Sequence, residues 1–359
     1  MGTYIFRRIL TSIPVLFGIL IITFILARSV PGDPCSGMLG PKATQEMCES
    51  FIKAKGLDKP VPVQFALYVK GLVRGEFGNS IRYNRPVIQI LVERLPATVE
   101  LSLTALLIVT AIGIPVGIIS AISKNSPIDL TTMIGANIGV SMPIFWLGLI
   151  LMFVFALLLK DTPFWLPPSG RISAGVIPDP FYEVYGLTVT AGSGWFYLFD
   201  FLSNFYIFNS IATLNFEVLE DTIKHLLLPA VTLSIIPLAI IVRMTRSSLL
   251  DELGLNYIRT ARAKGLRHRI AIMKHGFRNA ILPIITIMGL QIGGFIAGAV
   301  LTETIFSFPG LGRMLFESII VHDYPVVQVI ILVVAVIYVI ANLMVDLSYA
   351  VLDPRIRLE

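Results

Sequence analysis

NYIRTARAKGLRHRIAIMKHGFRNAILP, residues 256–283, is the most basic stretch of a chain that is otherwise mostly apolar. Its last residues already belong to a run without Asp, Glu, Lys or Arg, Asn279–Thr302. Dense charge giving way to none suggests a chain that leaves water for a bilayer. Five further runs lack charged residues: Ile9–Ala27, Leu101–Ser123, Leu130–Leu159, Leu226–Val242 and Tyr324–Val345. A spanning helix needs about 20 mostly apolar residues, and all six runs qualify. Of the 359 residues, 55% are apolar and 14% charged, with mean hydropathy +0.81, whereas soluble domains carry about 25% charged residues. The sequence therefore predicts an all-α integral membrane protein with six transmembrane helices. Leu130–Leu159 is long enough to tilt or to overrun the bilayer. Val184–Phe199 and Phe201–Phe216, shorter and rich in Gly, Ser, Thr and Asn, read as extramembrane or interfacial.

The net charge is +5. In a soluble protein that would suggest nucleic acid; here the positive-inside rule accounts for it. Arg7 and Arg8 ahead of the first run put the N-terminus in the cytoplasm, and six spans return the C-terminus, with Arg355 and Arg357, to the same side. The loop 243–278 then falls inside, with nine Lys or Arg against Asp251 and Glu252. The loop 160–225 falls outside, with three Lys or Arg against seven acids. The loop 28–100 also falls outside yet holds ten Lys or Arg against seven acids; long loops translocate largely regardless of charge. The first apolar run is too long for a cleaved signal peptide and reads as an uncleaved signal-anchor. The chain divides into a first transmembrane helix (1–30), an extracytoplasmic segment (31–96) and a core of five helices (97–359). The core contains the outer loop 160–225 and the inner loop 243–278. Within the first outer segment, Gln45–Lys55 could form a short helix, and 56–75 is amphipathic. Cys35 and Cys48, the only cysteines, both lie there and are expected to form a disulfide, as an oxidising compartment favours.

Much chemistry is missing. No G-x-x-x-x-G-K-[ST] phosphate loop is present, so this route to ATP hydrolysis is closed. H-E-x-x-H is absent, and His225, His268, His275 and His322 are too scattered for a metal cluster. G-x-S-x-G is absent too; TAGSG (190–194) lacks its first glycine. Proton-coupled carriers keep ionisable residues inside their spans, whereas here Glu303 lies only at the end of one. What remains is a membrane scaffold with no motor of its own. A self-contained channel or secondary carrier and, further off, a membrane enzyme are the alternatives. The spans contain Pro14, Pro115, Pro143, Pro229 and Pro237. SMPIFWLG (141–148) stands out because Ser, Pro and aromatics cluster in it. Gly289, Gly293, Gly294 and Gly298 predict a closely packed fifth helix.

In the opening stretch, Tyr257, Ile258, Ala261 and Leu266 share roughly one helical face. Arg259, Arg262 and Lys264 project elsewhere. Gly265 sits where a helix end wants positive φ, and Lys264 complements the dipole there. Ile270, Met273, Phe277 and Ile281 mark a second helix leading into the membrane. A solvated loop explains the charge but not the glycine turn. A lipid-headgroup helix and a docking helix for a cytosolic protein both explain more.

IRTARAKGL followed by HGFRNAILPIIT resembles the cytoplasmic coupling loop, the EAA loop, of ABC importer permeases, and more narrowly the dipeptide/oligopeptide permease family. PGDP (31–34), GLDKP (56–60), RLPATVELSL (94–103), SMPIFW (141–146), IPLAIIVRMTRSSLL (236–250), LTETIFSFPGLGR (301–313), DYPVVQ (323–328) and DPRIR (353–357) extend the resemblance over most of the chain. Arg259 stands where the loop's eponymous glutamate would be. The resemblance implies a type I ABC importer permease fold in a prokaryotic inner membrane, and peptide import as its function. It implies a second homologous permease, two cytosolic ATPases carrying ATP and Mg, and an extracytoplasmic binding protein as partners. This chain would bind lipid but neither a cofactor nor nucleic acid. Tyr257, Ile258, Arg259, Thr260, Ala261, Arg262, Ala263, Lys264 and Gly265 would form the coupling helix, with Ile258 and Ala261 packed into an ATPase cleft. Ser141, Met142, Pro143, Gln291, Thr302 and Glu303 would line the translocation path. Family members also serve nickel chelates, glutathione and oligosaccharides, so the substrate rests largely with the binding protein.

Overall fold

A computed structural model describes residues 2–29, 44–54, 56, 58–187, 189 and 193–352. Among them the only regular structure is helical, apart from an isolated bridge between Asn79 and Pro86. Besides the short turns Phe181–Val184 and His268–Ile270, the helices are α1 (Gly2–Ser29), α2 (Gln45–Ala54), α3 (Val61–Val73), α4 (Val87–Ile122), α5 (Pro127–Ser141), α6 (Ile144–Leu158), α7 (Gly194–Ser203), α8 (Tyr206–Ala212), α9 (Phe216–Leu253), α10 (Asn256–Ala263), α11 (Arg278–Ile305), α12 (Leu311–Ile320) and α13 (Tyr324–Leu352). α1, α4, α9, α11 with its lead-in from His268, and α13 are each long and apolar enough to span. α5 and α6 pass the same test only as a pair, bent by 103°. Counted as one span, the pair brings the total to the expected six.

That bend is where the uncharged run Leu130–Leu159 departs from a single long helix. A proline ring drives the residue before it into extended backbone and offers no N–H of its own. Met142 accordingly sits at φ −80, ψ 129, so α5 stops at Ser141 and α6 starts after Pro143. Other helices outrun their uncharged runs. α4 begins at Val87 with Pro96 inside it, and α9 continues past Val242 to Leu253. Charged residues are good helix formers, so the runs mark candidate lipid contact rather than helix ends. Within α4, Val109–Gly113 widens into a π-helical stretch just ahead of Pro115.

α9 is the hub. It packs against α4, α5, α6, α8 and α11, and 67% of its most apolar window is buried, against 11% for α1. Leu226, Ala230, Leu233 and Ile241 of α9 meet Ala97, Leu101 and Ala105 of α4 and Ile284 and Phe295 of α11. α1 rests on α13 and, through Phe17 and Phe24, on Phe65 of α3. Three of the four fifth-span glycines, Gly289, Gly293 and Gly298, pack closely within this chain. A Cβ on Gly289 would fall 2.1 Å from Val345, and one on Gly293 2.5 Å from Tyr338, both on α13.

The stretches Val184–Phe199 and Phe201–Phe216 hold the short helices α7 and α8, neither long enough to span. Phe181, Tyr182, Phe199 and Phe208 form an aromatic cluster there. One buried ion pair fastens this segment to α4. Arg171 donates to Glu100 at 2.6 Å and to the Asn204 carbonyl, while the Ile207 N–H donates to the other Glu100 oxygen. At the opposite end, Arg246 of α9 grips Asp129 of α5 with two bonds of 2.6 and 2.7 Å, and Ser120 adds a third. Cys48, on α2, is disulfide-bonded; Cys35, expected as its partner, lies outside the described residues.

Candidate functional site

α10 is a short helix closed by a Schellman motif. The Leu266 N–H bonds the Ala261 carbonyl and the Gly265 N–H bonds the Arg262 carbonyl. This closure puts its C′ residue in the left-handed region, and Gly265 has φ +82. Ile258 is only 1% exposed, and α10 packs against the π-helical segment Ala271–Phe277. The expectation that Ile258 fills an ATPase cleft is thereby corrected. A helix this short is marginal alone, and its one fully buried apolar side chain fastens it to its own chain. Ala261 is half-buried. Tyr257, Arg259, Thr260, Arg262, Ala263, Lys264 and Gly265 are exposed. The side chains of Arg259, Arg262 and Lys264 make no hydrogen bond or ion pair among the described residues.

Tyr257 bolts this helix to two others. Its hydroxyl donates to Glu252 at the end of α9 and accepts from Asn279 Nδ2 of α11 at 3.0 Å. Burial, then the bond to Glu252, push the phenol up from its ordinary value, so the proton that bonds Glu252 is retained at neutral pH. Each bond contributes about 1 kcal/mol. In Tyr257→Phe, amide hydrogen exchange in α10 should therefore speed up about fivefold to thirtyfold. Unchanged exchange would mean that Ile258 alone holds the helix.

The residues assigned to a path separate into two groups. Ser141, Met142 and Pro143 lie together at the α5–α6 bend. With Asn137, Ile138 and Trp146 they line an open hollow of about 560 Å³. Gln291 is half-buried on α11, and its Nε2 has no partner among the described residues. Thr302 and Glu303 are each 0% exposed and face the chain's own interior. Glu303 accepts from Thr98 at 2.6 Å and from the Arg313 N–H at 2.9 Å. It thus caps the orphan N–H groups at the start of α12, where a negative charge is favoured. Gly310 leaves room for it, since a Cβ there would stand 2.2 Å from a Glu303 oxygen. Glu303, with Thr98, ties α4, α11 and α12 together, while Thr302 donates to the Gly298 carbonyl within α11; neither is exposed on the chain's own surface.

Residues 113–358 match the family described as the binding-protein-dependent transport system inner membrane component. The chain belongs to that family. Residues 1–104 match the corresponding N-terminal family. The inner membrane component is 43% identical over 357 residues to the dipeptide transport system permease protein DppB of Alkalihalophilus pseudofirmus, covering 99% of this chain and 100% of that protein. It is 41% identical over 355 residues to the Escherichia coli K12 protein of the same name, covering 99% and 98%. With the oligopeptide transport system permease protein AppB of Bacillus subtilis it shares 39% over 359 residues, covering 99% and 100%.

Several groups that organise this inner membrane component escape a reading by runs and motifs. Glu252 counts there only as a loop acid, yet it anchors Tyr257. Arg171 and Glu100 are 71 positions apart, and no local pattern links them. Arg243 directly follows the uncharged run that ends at Val242. The signal that could have found it is the continuation of helical spacing into IVRMTR.

Proposed function

We propose that this inner membrane component is the permease subunit of an ATP-driven importer of di- or oligopeptides. It would form half of the translocation path beside a second, similar permease. Two cytosolic ATPases would supply the energy, and an extracytoplasmic protein would deliver the substrate. The observation that carries the reading is the full-length likeness to proteins named as dipeptide and oligopeptide transport permeases. The positive-inside asymmetry supports cytoplasmic termini and a cytoplasmic α10.

The geometry suggests how force would enter. The unpaired cations of α10 form a docking face, and Ile258 with Tyr257 carries any displacement to α9 and α11. An ATPase that moves α10 on binding or releasing ATP thereby moves the helix around which the chain is packed. ATP and Mg would sit on the partners, since this sequence has no phosphate loop.

Reconstitution tests the reading. The chain would be placed in liposomes with its partner permease, both ATPases and the loaded binding protein, and uptake of labelled dipeptide followed. Uptake is expected only when all are present with ATP. Uptake by this chain without ATPases would make it a carrier or channel. A complete complex that hydrolyses ATP but moves a nickel chelate, glutathione or an oligosaccharide instead of peptide would overturn the peptide assignment.

A further inference from the structure

Arg243 lies within α9, one helical turn nearer the middle than Arg246. Arg246 has its counter-ion in Asp129; Arg243 has none among the described residues. Its guanidinium reaches only Asn137 Oδ1, at 3.4 Å. Asn137 lines the hollow at the α5–α6 bend, and both it and Ser141 are exposed on the chain's own surface. Asn137 is eight residues along α5 from Asp129, about 12 Å at 1.5 Å per residue.

A guanidinium without a counter-ion, an exposed amide and an exposed hydroxyl are poor company for lipid tails. Ionisable groups inside spans face a bundle interior or a water-filled cavity, and mark substrate routes. The rest of the hollow is apolar, with Ile138, Met142 and Trp146. Apolar walls with a few convergent polar groups are the usual make-up of a small-ligand site. A guanidinium fork matches a carboxylate in shape and charge. Asn137 Nδ2, unbonded among the described residues, stands ready to donate to the same anion.

We infer that Arg243, which borders the hollow at the α5–α6 bend through Asn137, binds the carboxylate of the transported peptide there together with Asn137. The inference rests on the peptide-import reading and deepens it. A single cation of this kind reads a group that linear peptides share, the terminal carboxylate, and is indifferent to their side chains.

The test uses the complete importer in liposomes, with labelled dipeptide uptake and ATP hydrolysis measured together. Arg243→Gln should lower the peptide moved per ATP at least about tenfold, the weight of one charge-assisted hydrogen bond. Arg243→Lys should restore part of it, because the charge remains although the two-pronged fork is lost. Asn137→Ala should raise the KM for uptake several-fold. A Gln variant that moves as much peptide per ATP as wild type overturns the inference, and so does a Lys variant as poor as Gln. Should Arg243→Gln fail to reach the membrane, Arg243→Lys and Asn137→Ala decide: an unchanged KM in both overturns it. Failure of the underlying reading looks different, since the wild-type complex would then hydrolyse ATP and carry no peptide at all.

Discussion

Gly265→Asp should stop transport while leaving the amount of this subunit in the membrane unchanged. Two effects combine. Gly265 closes the Schellman motif at φ +82, where a side chain costs about 1–2 kcal/mol. The helix it closes has only eight residues and little stability to spare. The new carboxylate would also stand at a helix C-terminus, where negative charge is unfavourable, beside the cations proposed to meet the ATPase. The fold itself should survive, because nothing lies within 4 Å of a Cβ built on Gly265. Gly265→Ala separates the effects: it retains the backbone strain without the charge and should keep part of the activity. Membrane immunoblots beside uptake assays check this. Transport at the wild-type rate in Gly265→Asp would sink the docking role of α10.

Arg171→Ala should have the largest effect on stability. Arg171 and Glu100 are 5% and 6% exposed, and removing one member of such a pair leaves the other charge buried. That costs about 3–5 kcal/mol. The loss goes further, because the guanidinium also holds the Asn204 carbonyl and stacks 3.7 Å from the centre of the Tyr206 ring. The outer segment should become protease-sensitive and the detergent-solubilised protein should melt earlier. Combining Arg171→Met with Glu100→Gln should recover part of the loss, since no unpaired charge remains. A double variant no better than Arg171→Ala would show that the charge pair is not the source.

Spans and termini of helices are legible to different degrees for a physical reason. Loss of charge marks where lipid is expected, and six runs give six spans when α5 and α6 are taken together. The same runs understate α4 and α9, because charged residues extend a helix as readily as apolar ones. Pro143 was visible as a cluster with Ser141 and Trp146, but the size of the bend it permits depends on packing. The α10 helix and its Gly265 turn were legible because both are local. Which face of α10 looks inward was not, since the segment that α10 packs against lies further along the chain. Thr302 and Glu303 suffered the same way. An acid at the end of a span suggests a path, and only the position of α12 shows that Glu303 caps a helix instead.

The length of α9 has a mechanical consequence. Its 38 residues, at 1.5 Å each, form a beam of about 57 Å. One end is tied through Asp221 to Ser173 in the outer segment, and the other through Glu252 to Tyr257. Pro229 and Pro237 flank its midpoint, where each removes a backbone hydrogen bond and softens the beam. A beam softened at its centre bends there rather than pivoting as a rigid whole. A bend of about 10° at that point shifts one end by about 5 Å relative to the line of the other half, for a rod of this length. A push on the α10 end is thus taken up in part at the two prolines, and the half tied to the outer segment moves less than the half tied to Tyr257.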